Sequence, residues 1–178
     1  VQLGLVESLS RPGGNLTGVT TLSVEVGSKR LELLRELFPT ATHMAFLLNP
    51  TNPNASTLLK DLETAARGLG LQIHILHAAA DGDFDPVFAR LAELRPSGLV
   101  IGTDAFYNSR SERLAVLSIR HAVPAIYQLR EFAAAGGLMS YGPNQNDSYR
   151  LLGVYAARIL KGEKPGDLPI QRPTKFEL

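Results

Sequence analysis

A chain of 178 residues is long enough for one sizeable domain with its own core, or for one domain and an appendage. Hydrophobic residues make up 44% of it and charged residues 20%, and the net charge of +1 comes from scattered bases, which removes the basic footprint of a nucleic-acid binder. There is no cysteine, so disulfides, thiolate catalysis and cysteine-held metals are excluded, and no apolar run approaches the roughly 20 residues that span a bilayer.

Val1 to Ser10 has helical spacing until Arg11-Pro12-Gly13-Gly14-Asn15 breaks it, and Leu16 to Thr21 is a short β-like run. Residues 26–38 place Leu31, Leu34 and Leu37 or Phe38 on one helical face, with Pro39 after the last turn. A buried strand is expected over 43–48, and then a helix over 54–69 with Leu58, Leu59, Leu62, Ala65, Ala66 and Leu69 inward. Residues 72–77 alternate as a strand, and 83–94 form a helix with Asp83 or Asp85 at its N-cap and Pro86 in its first turn. A strand over 99–101, a helix over 109–121, a strand over 124–128, a short helical piece and a strand over 137–141 follow. Residues 146–160 read as a long amphipathic helix, and 165–173 as an extended tail. Strands alternating with helices imply βαβ units: an α/β fold with a mainly parallel sheet and helices on both faces. The start lacks both Met and a basic n-region, and the end reads as a strand cut short, so the chain is expected to be a piece of a longer protein.

Ligands of an open parallel sheet sit outside the carboxyl ends of its strands, and here those ends carry polar clusters. The first is Asn49-Pro50-Thr51-Asn52-Pro53-Asn54, where Thr51, Asn52 or Asn54 can cap the following helix. Its helix N-terminus, with hydroxyl and amide donors nearby, would equally suit a carboxylate or phosphate. Asp104, directly after a strand, is either a turn or N-cap residue or the partner of a ligand ammonium, and Phe106 and Tyr107 just beyond suggest a ligand wall. Tyr127-Gln128 and Tyr141 offer an apolar body with a polar tip, as rim-of-core residues or as ligand contacts.

Catalytic and metal signatures are missing. There is no Walker loop, no Gly-x-Ser-x-Gly elbow and no His-Glu-x-x-His motif, so no metal and no cofactor is expected. Lys29, Arg30, Arg35 and Lys60 alternate with acids and are expected on solvated helix faces. The site chemistry suits holding a small polar molecule better than transforming it. The chain is therefore expected not to be an enzyme, the alternative being a sensor, effector-binding or enzyme domain on a flavodoxin-like sheet.

Four stretches carry a resemblance: Arg11-Pro12-Gly13-Gly14-Asn15-Leu16-Thr17-Gly18-Val19, Leu47-Leu48-Asn49-Pro50-Thr51-Asn52-Pro53, Gly136-Gly137-Leu138-Met139-Ser140-Tyr141-Gly142 and Ala156 to Pro165. Together they resemble the ABC-transporter substrate-binding family that includes tryptophan- and phenylalanine-binding members. The resemblance implies a type I periplasmic binding protein, in which two α/β lobes close on a ligand. Residues 1–20 would end the first lobe, 21–141 would form the second, and 142–178 would return towards the first with a helix and a tail. It implies a small-molecule ligand such as an amino acid, an ABC permease as partner, and a periplasmic or lipid-anchored location. An apolar stripe left uncovered on the return helix would favour a dimer. Asn49, Thr51 and Asn54 would then hold a ligand carboxylate, Asp104 an amine, and Phe106, Tyr127 and Tyr141 would be wall or hinge residues. Ala55 stands where relatives carry a serine, which removes one hydroxyl from that loop.

Overall fold

Five runs of apolar and β-branched residues pair into one sheet: β1 (His43–Leu48), β2 (Gln72–His77), β3 (Leu99–Ile101), β4 (Ala125–Tyr127) and β5 (Met139–Ser140). The computed structural model describes residues 4–20 and 23–178. All pairings in this sheet are parallel, in the order β2-β1-β3-β4-β5, with Ala45 opposite both His74 and Leu99 and Leu99 opposite Ala125. Such an order needs a helical crossover between successive strands.

The crossovers are α1 (Ser23–Leu37) before β1, α2 (Ala55–Gly68), α3 (Phe84–Leu94), α4 (Ala105–Asn108) with α5 (Ser111–Arg120), and α6 (Arg130–Ala134). Strand alternation sorts the core into two layers. Met44, Phe46, Leu48, Val100 and Ile126 face Leu31 and Leu34 of α1 and Leu58, Leu62 and Ala66 of α2. Ala45, Leu47, Leu99, Ile101, Ala125 and Tyr127 face Phe84, Phe88 and Leu91 of α3, Leu114 and Leu117 of α5, and Phe132 of α6. Helices therefore cover both faces of the sheet.

Two expectations are corrected, the N-terminal helix and the exposure of Arg30. The helix expected from residue 1 to 10 is absent where it can be described, over 4–10, because Gly4 turns the chain at φ +70° and Ser8 folds onto Arg11; residues 1–3 lie outside the described part. The helix expected over 109–121 forms as α5, Ser111–Arg120, with the separate short α4 ahead of it, and the Ser109 hydroxyl between them donates to Phe106 O. Of the alternatives Leu37 and Phe38, Phe38 packs against the core of α1 and α2 while Leu37 is half-exposed; Arg30, read as solvated, is 1% exposed.

Chain contacts divide the protein into two compact units: Ser23–Gly142 with Glu177–Leu178, and the flanking segments 4–20 and Pro143–Phe176. In the smaller unit, α7 (Gln145–Leu160) starts at Asn144, whose side chain accepts from Asp147 N. The tail expected to be extended begins with a 3-10 turn at Pro165–Asp167. Around it Thr17 Oγ1 donates to Leu168 O at 2.6 Å, Tyr155 Oη donates to Pro169 O at 2.6 Å, and Val19 bridges Gln171. Only Tyr155 of α7 is buried, and Tyr149, Leu152, Val154 and Leu160 stay exposed. A separate two-stranded ribbon joins β6 (Gly142–Pro143) to β7 (Phe176–Glu177).

Candidate functional site

The carboxyl ends of β1, β3 and β4 meet in one hydrogen-bonded cluster centred on Asp104. Gly102 makes the approach possible. A Cβ there would stand 2.6 Å from Leu47 O, the acceptor of the Gly102 amide. With no side chain in that gap, β3 runs close to β1 up to its end, and Thr103 and Asp104 leave it beside the loop that follows β1.

Asp104 is 9% exposed and is held by neutral donors. Its Oδ1 accepts from Phe106 N at 2.8 Å and from Asn49 Nδ2 at 3.2 Å, and its Oδ2 accepts from Asn52 Nδ2 at 2.6 Å. It thus caps α4, and it also ties α4 to the β1 loop. Among the described residues it forms no ion pair. Burying a charge without a cation is costly, and charge-assisted hydrogen bonds offset part of that cost.

The loop after β1 is organised by its own amides. Asn49 Oδ1 accepts from Thr51 N at 3.0 Å and from Thr51 Oγ1 at 2.8 Å, and Asn52 Oδ1 accepts from Asn54 N at 2.8 Å. Asn54 occupies the N-cap position of α2 but makes no side-chain cap bond. The first turn of α2 therefore has backbone N–H groups that the Asn54 side chain does not cover. Asn49 is buried and Thr51 exposed, so the loop spans from core to surface.

Phe106 lies beside this cluster, stacked on Phe84 with ring centroids 5.5 Å apart and covered by the Arg110 guanidinium 4.7 Å from its centre. Arg110 is itself fixed by Asp81, through bonds of 3.2 and 3.0 Å, and that ion pair holds the Asp81 carboxyl below its ordinary range. Tyr107, fully buried, donates to Ala78 O, and burial raises its phenol pKa. Tyr141 is half-buried after β5, on the α1 and α2 side, with its N–H donating to Tyr127 O.

Tyr127 does not reach the cluster. It is fully buried on the other face, stacked on Phe132 at 4.8 Å, and its hydroxyl donates to Ser118 Oγ at 2.8 Å. Burial pushes that phenol up to about 12. The cause is strand alternation, which sends neighbouring side chains to opposite faces. Tyr127→Phe is accordingly expected to cost about 1 kcal/mol of stability and to leave ligand affinity unchanged, as denaturation and calorimetry would show; a weakened ligand would return Tyr127 to the site.

Gln128 stands there instead. Its Nε2 donates to Asp104 O at 3.3 Å and to Asn108 Oδ1, and its Oε1 is buried without a partner among the described residues. Asn108 and Arg30 are thus the residues of this region that the sequence did not point to, while Asn52, read as a helix cap, and Gln128, read together with Tyr127, bond to Asp104 instead. Arg30 donates from Nε to Val26 O at 3.4 Å, from Nη1 to Ile101 O at 3.1 Å and from Nη2 to Thr103 Oγ1 at 2.6 Å. Burial lowers its pKa to about 10. The signal for it was its place four residues before Leu34, on the inward stripe of α1. Among the described residues no cluster of His, Cys, Asp and Glu could hold a metal ion, and no helix is long and apolar enough to cross a membrane.

Comparison with known proteins bears on the fold and the family. A solved conserved-domain protein from Vibrio cholerae superposes with a TM-score of 0.86 at 25% identity, over 97% of this chain and 57% of its own. The ABC domain in complex with L-Trp from Streptococcus pneumonia gives 0.84 at 21% identity, over 97% and 59%. The tyrosine-binding protein of Clostridioides difficile (strain R20291) is 24% identical over the whole of this chain and 51% of its own length. The chain thus spans about half the length of that curated relative. The fold is that of a lobe of a type I periplasmic binding protein. The family model for ABC transporter substrate binding proteins matches residues 1–178, end to end, and the chain belongs to that family.

Proposed function

We propose that this chain is the second ligand-binding lobe, with a return segment of first-lobe type, of a solute-binding protein that hands an amino acid to the permease of an ABC importer. Asp104 carries the reading. A carboxylate that is nine-tenths buried at a strand end, bonded only to amide donors, is a ready partner for an ammonium group. The open N-terminus of α2, with Thr51 and Asn54 beside it, suits the carboxylate of the same zwitterion. Relatives that bind tyrosine or L-Trp favour an aromatic amino acid. A role for Asp104 as acid or base would need a proton partner, and its bonded partners are two asparagine amides and a backbone N–H.

Half of the contacts in such a protein come from the other lobe. Ligand held by both lobes draws the open form towards the closed one. The exposed Tyr149, Leu152, Val154 and Leu160 of α7 supply an apolar surface for first-lobe elements to cover. The protein would work in the periplasm or lipid-anchored outside the inner membrane.

The test is a thermal-shift screen of the full two-lobed protein against amino acids. Ligand that binds only the folded state raises the melting temperature by mass action, by about 3 kcal/mol of added stability at a hundredfold excess over Kd. A saturable rise with an amino acid is expected; a flat response to all of them would overturn the reading.

A further inference from the structure

Arg30 is a buried guanidinium with no carboxylate on it among the described residues, and it spends its shortest hydrogen bond on the hydroxyl of Thr103. The remaining bonds go to Val26 O and Ile101 O, so the side chain is fastened between α1 and the last residue of β3. A hydroxyl can donate once and accept twice. Since Nη2 must donate, Thr103 Oγ1 accepts there, and its own proton has to point away from the guanidinium. Among the described residues nothing accepts that proton. Thr103 is half-buried, directly before Asp104 and after the Gly102 approach to β1. The crest of β3 therefore offers two opposite chemistries on consecutive residues: a hydroxyl whose proton is turned outward with a positive charge behind it, then a carboxylate that accepts.

We propose that Thr103 is a ligand-binding residue, whose hydroxyl Arg30 holds as a donor for a carboxylate oxygen of an α-amino acid, while Asp104 takes the ammonium. This rests on the amino-acid reading above and adds to it a second anchor on the same strand end. An α-amino acid carries its ammonium and carboxylate on one carbon, and the side-chain amide of Asn52 bonds to both residues, which places Thr103 and Asp104 at one strand end. The α2 N-terminus can serve the other carboxylate oxygen, since Asn52, in the loop leading into α2, donates to both Thr103 O and Asp104 Oδ2. An amine lacking the carboxylate would use Asp104 alone and have no need of the Thr103 hydroxyl.

That difference supplies the experiment. Calorimetry on the full two-lobed protein would compare L-tyrosine with tyramine and L-tryptophan with tryptamine, in the wild type and in Thr103→Val, which keeps the shape and removes the hydroxyl. Affinity for the bound amino acid should fall about tenfold or more, the worth of a hydrogen bond to a charged group, while its amine binds as before and so reports that the variant is folded. Thr103→Ser, which keeps the hydroxyl, should recover most of the lost affinity. An unchanged amino-acid affinity, or an equal loss for the amine, would overturn the role of Thr103 and leave the amino-acid reading standing. Wild-type protein that binds neither amino acid would overturn both.

Discussion

Asp104→Ala in the full two-lobed protein is expected to weaken an amine ligand by about 2–4 kcal/mol, or roughly 30- to 1000-fold in Kd. The loss has two sources. Removing the carboxylate leaves a ligand ammonium without its counter-charge in a dry site. It also frees Asn49 Nδ2, Asn52 Nδ2 and Phe106 N, so the loop after β1 and the start of α4 lose their common anchor. Asp104→Asn separates the two. Asparagine can still accept at one oxygen and cap α4, but it carries no charge, so most of the affinity should still be lost while the melting temperature recovers part of the deficit. Calorimetry alongside thermal unfolding measures both quantities, and wild-type affinity in the Asn variant would remove Asp104 from the site.

Arg30→Ala should destabilise the lobe by about 3 kcal/mol, as much as the loss of a buried core side chain. Opposing effects set that figure. Burial of the guanidinium, which lowers its pKa to about 10, is itself unfavourable by about 3 kcal/mol. Against this stand the hydrogen bonds to Val26 O, Ile101 O and Thr103 Oγ1, at about 1.5–3 kcal/mol each for a charged donor, and the packing of the longest buried side chain of α1. Alanine forfeits the bonds and leaves a cavity beside the end of β3. Arg30→Met keeps most of the volume and relieves the buried charge, so it should cost about 1 kcal/mol or less. Urea denaturation of the three proteins would order them wild type, Met, Ala; an alanine variant as stable as wild type would mean that the guanidinium contributes nothing net.

Much of this fold was legible in the residues because the signals are local. Leu99-Val100-Ile101 between Ser97-Gly98 and Gly102-Thr103 can only be a short, fully buried strand, and the spacing of Leu58, Leu62 and Ala66 fixes the inward face of α2. Asp104 was legible for the same reason, since it directly follows such a strand. The network around it was not. Asn52 and Asp104 are separated by 52 residues and Gln128 and Asp104 by 24, and nothing in the run of sequence marks which amide will meet which oxygen. Arg30 was misread because its charge outweighed its position: it lies on the same stripe as Leu34, and two of the three acceptors that make its burial tolerable, Ile101 O and Thr103 Oγ1, lie at the end of β3 and just beyond it. Tyr127 and Gln128 were taken together, although strand alternation sends only one of any adjacent pair to a given side.

The order of the sheet leaves β2 at one edge and β5 at the other, and the two edges differ in their exposure to misassembly. At β5 the edge is two residues long, too short to template another chain. At β2 it is six residues, Gln-Ile-His-Ile-Leu-His, half-exposed, rich in β-branched side chains and free of Lys, Arg, Asp, Glu and Pro, the residues that usually guard such an edge. When copies of this protein crowd together or partly unfold, intermolecular strand addition should begin at Gln72–His77. A single lysine on the exposed side of that strand would be the most economical way to keep concentrated samples soluble.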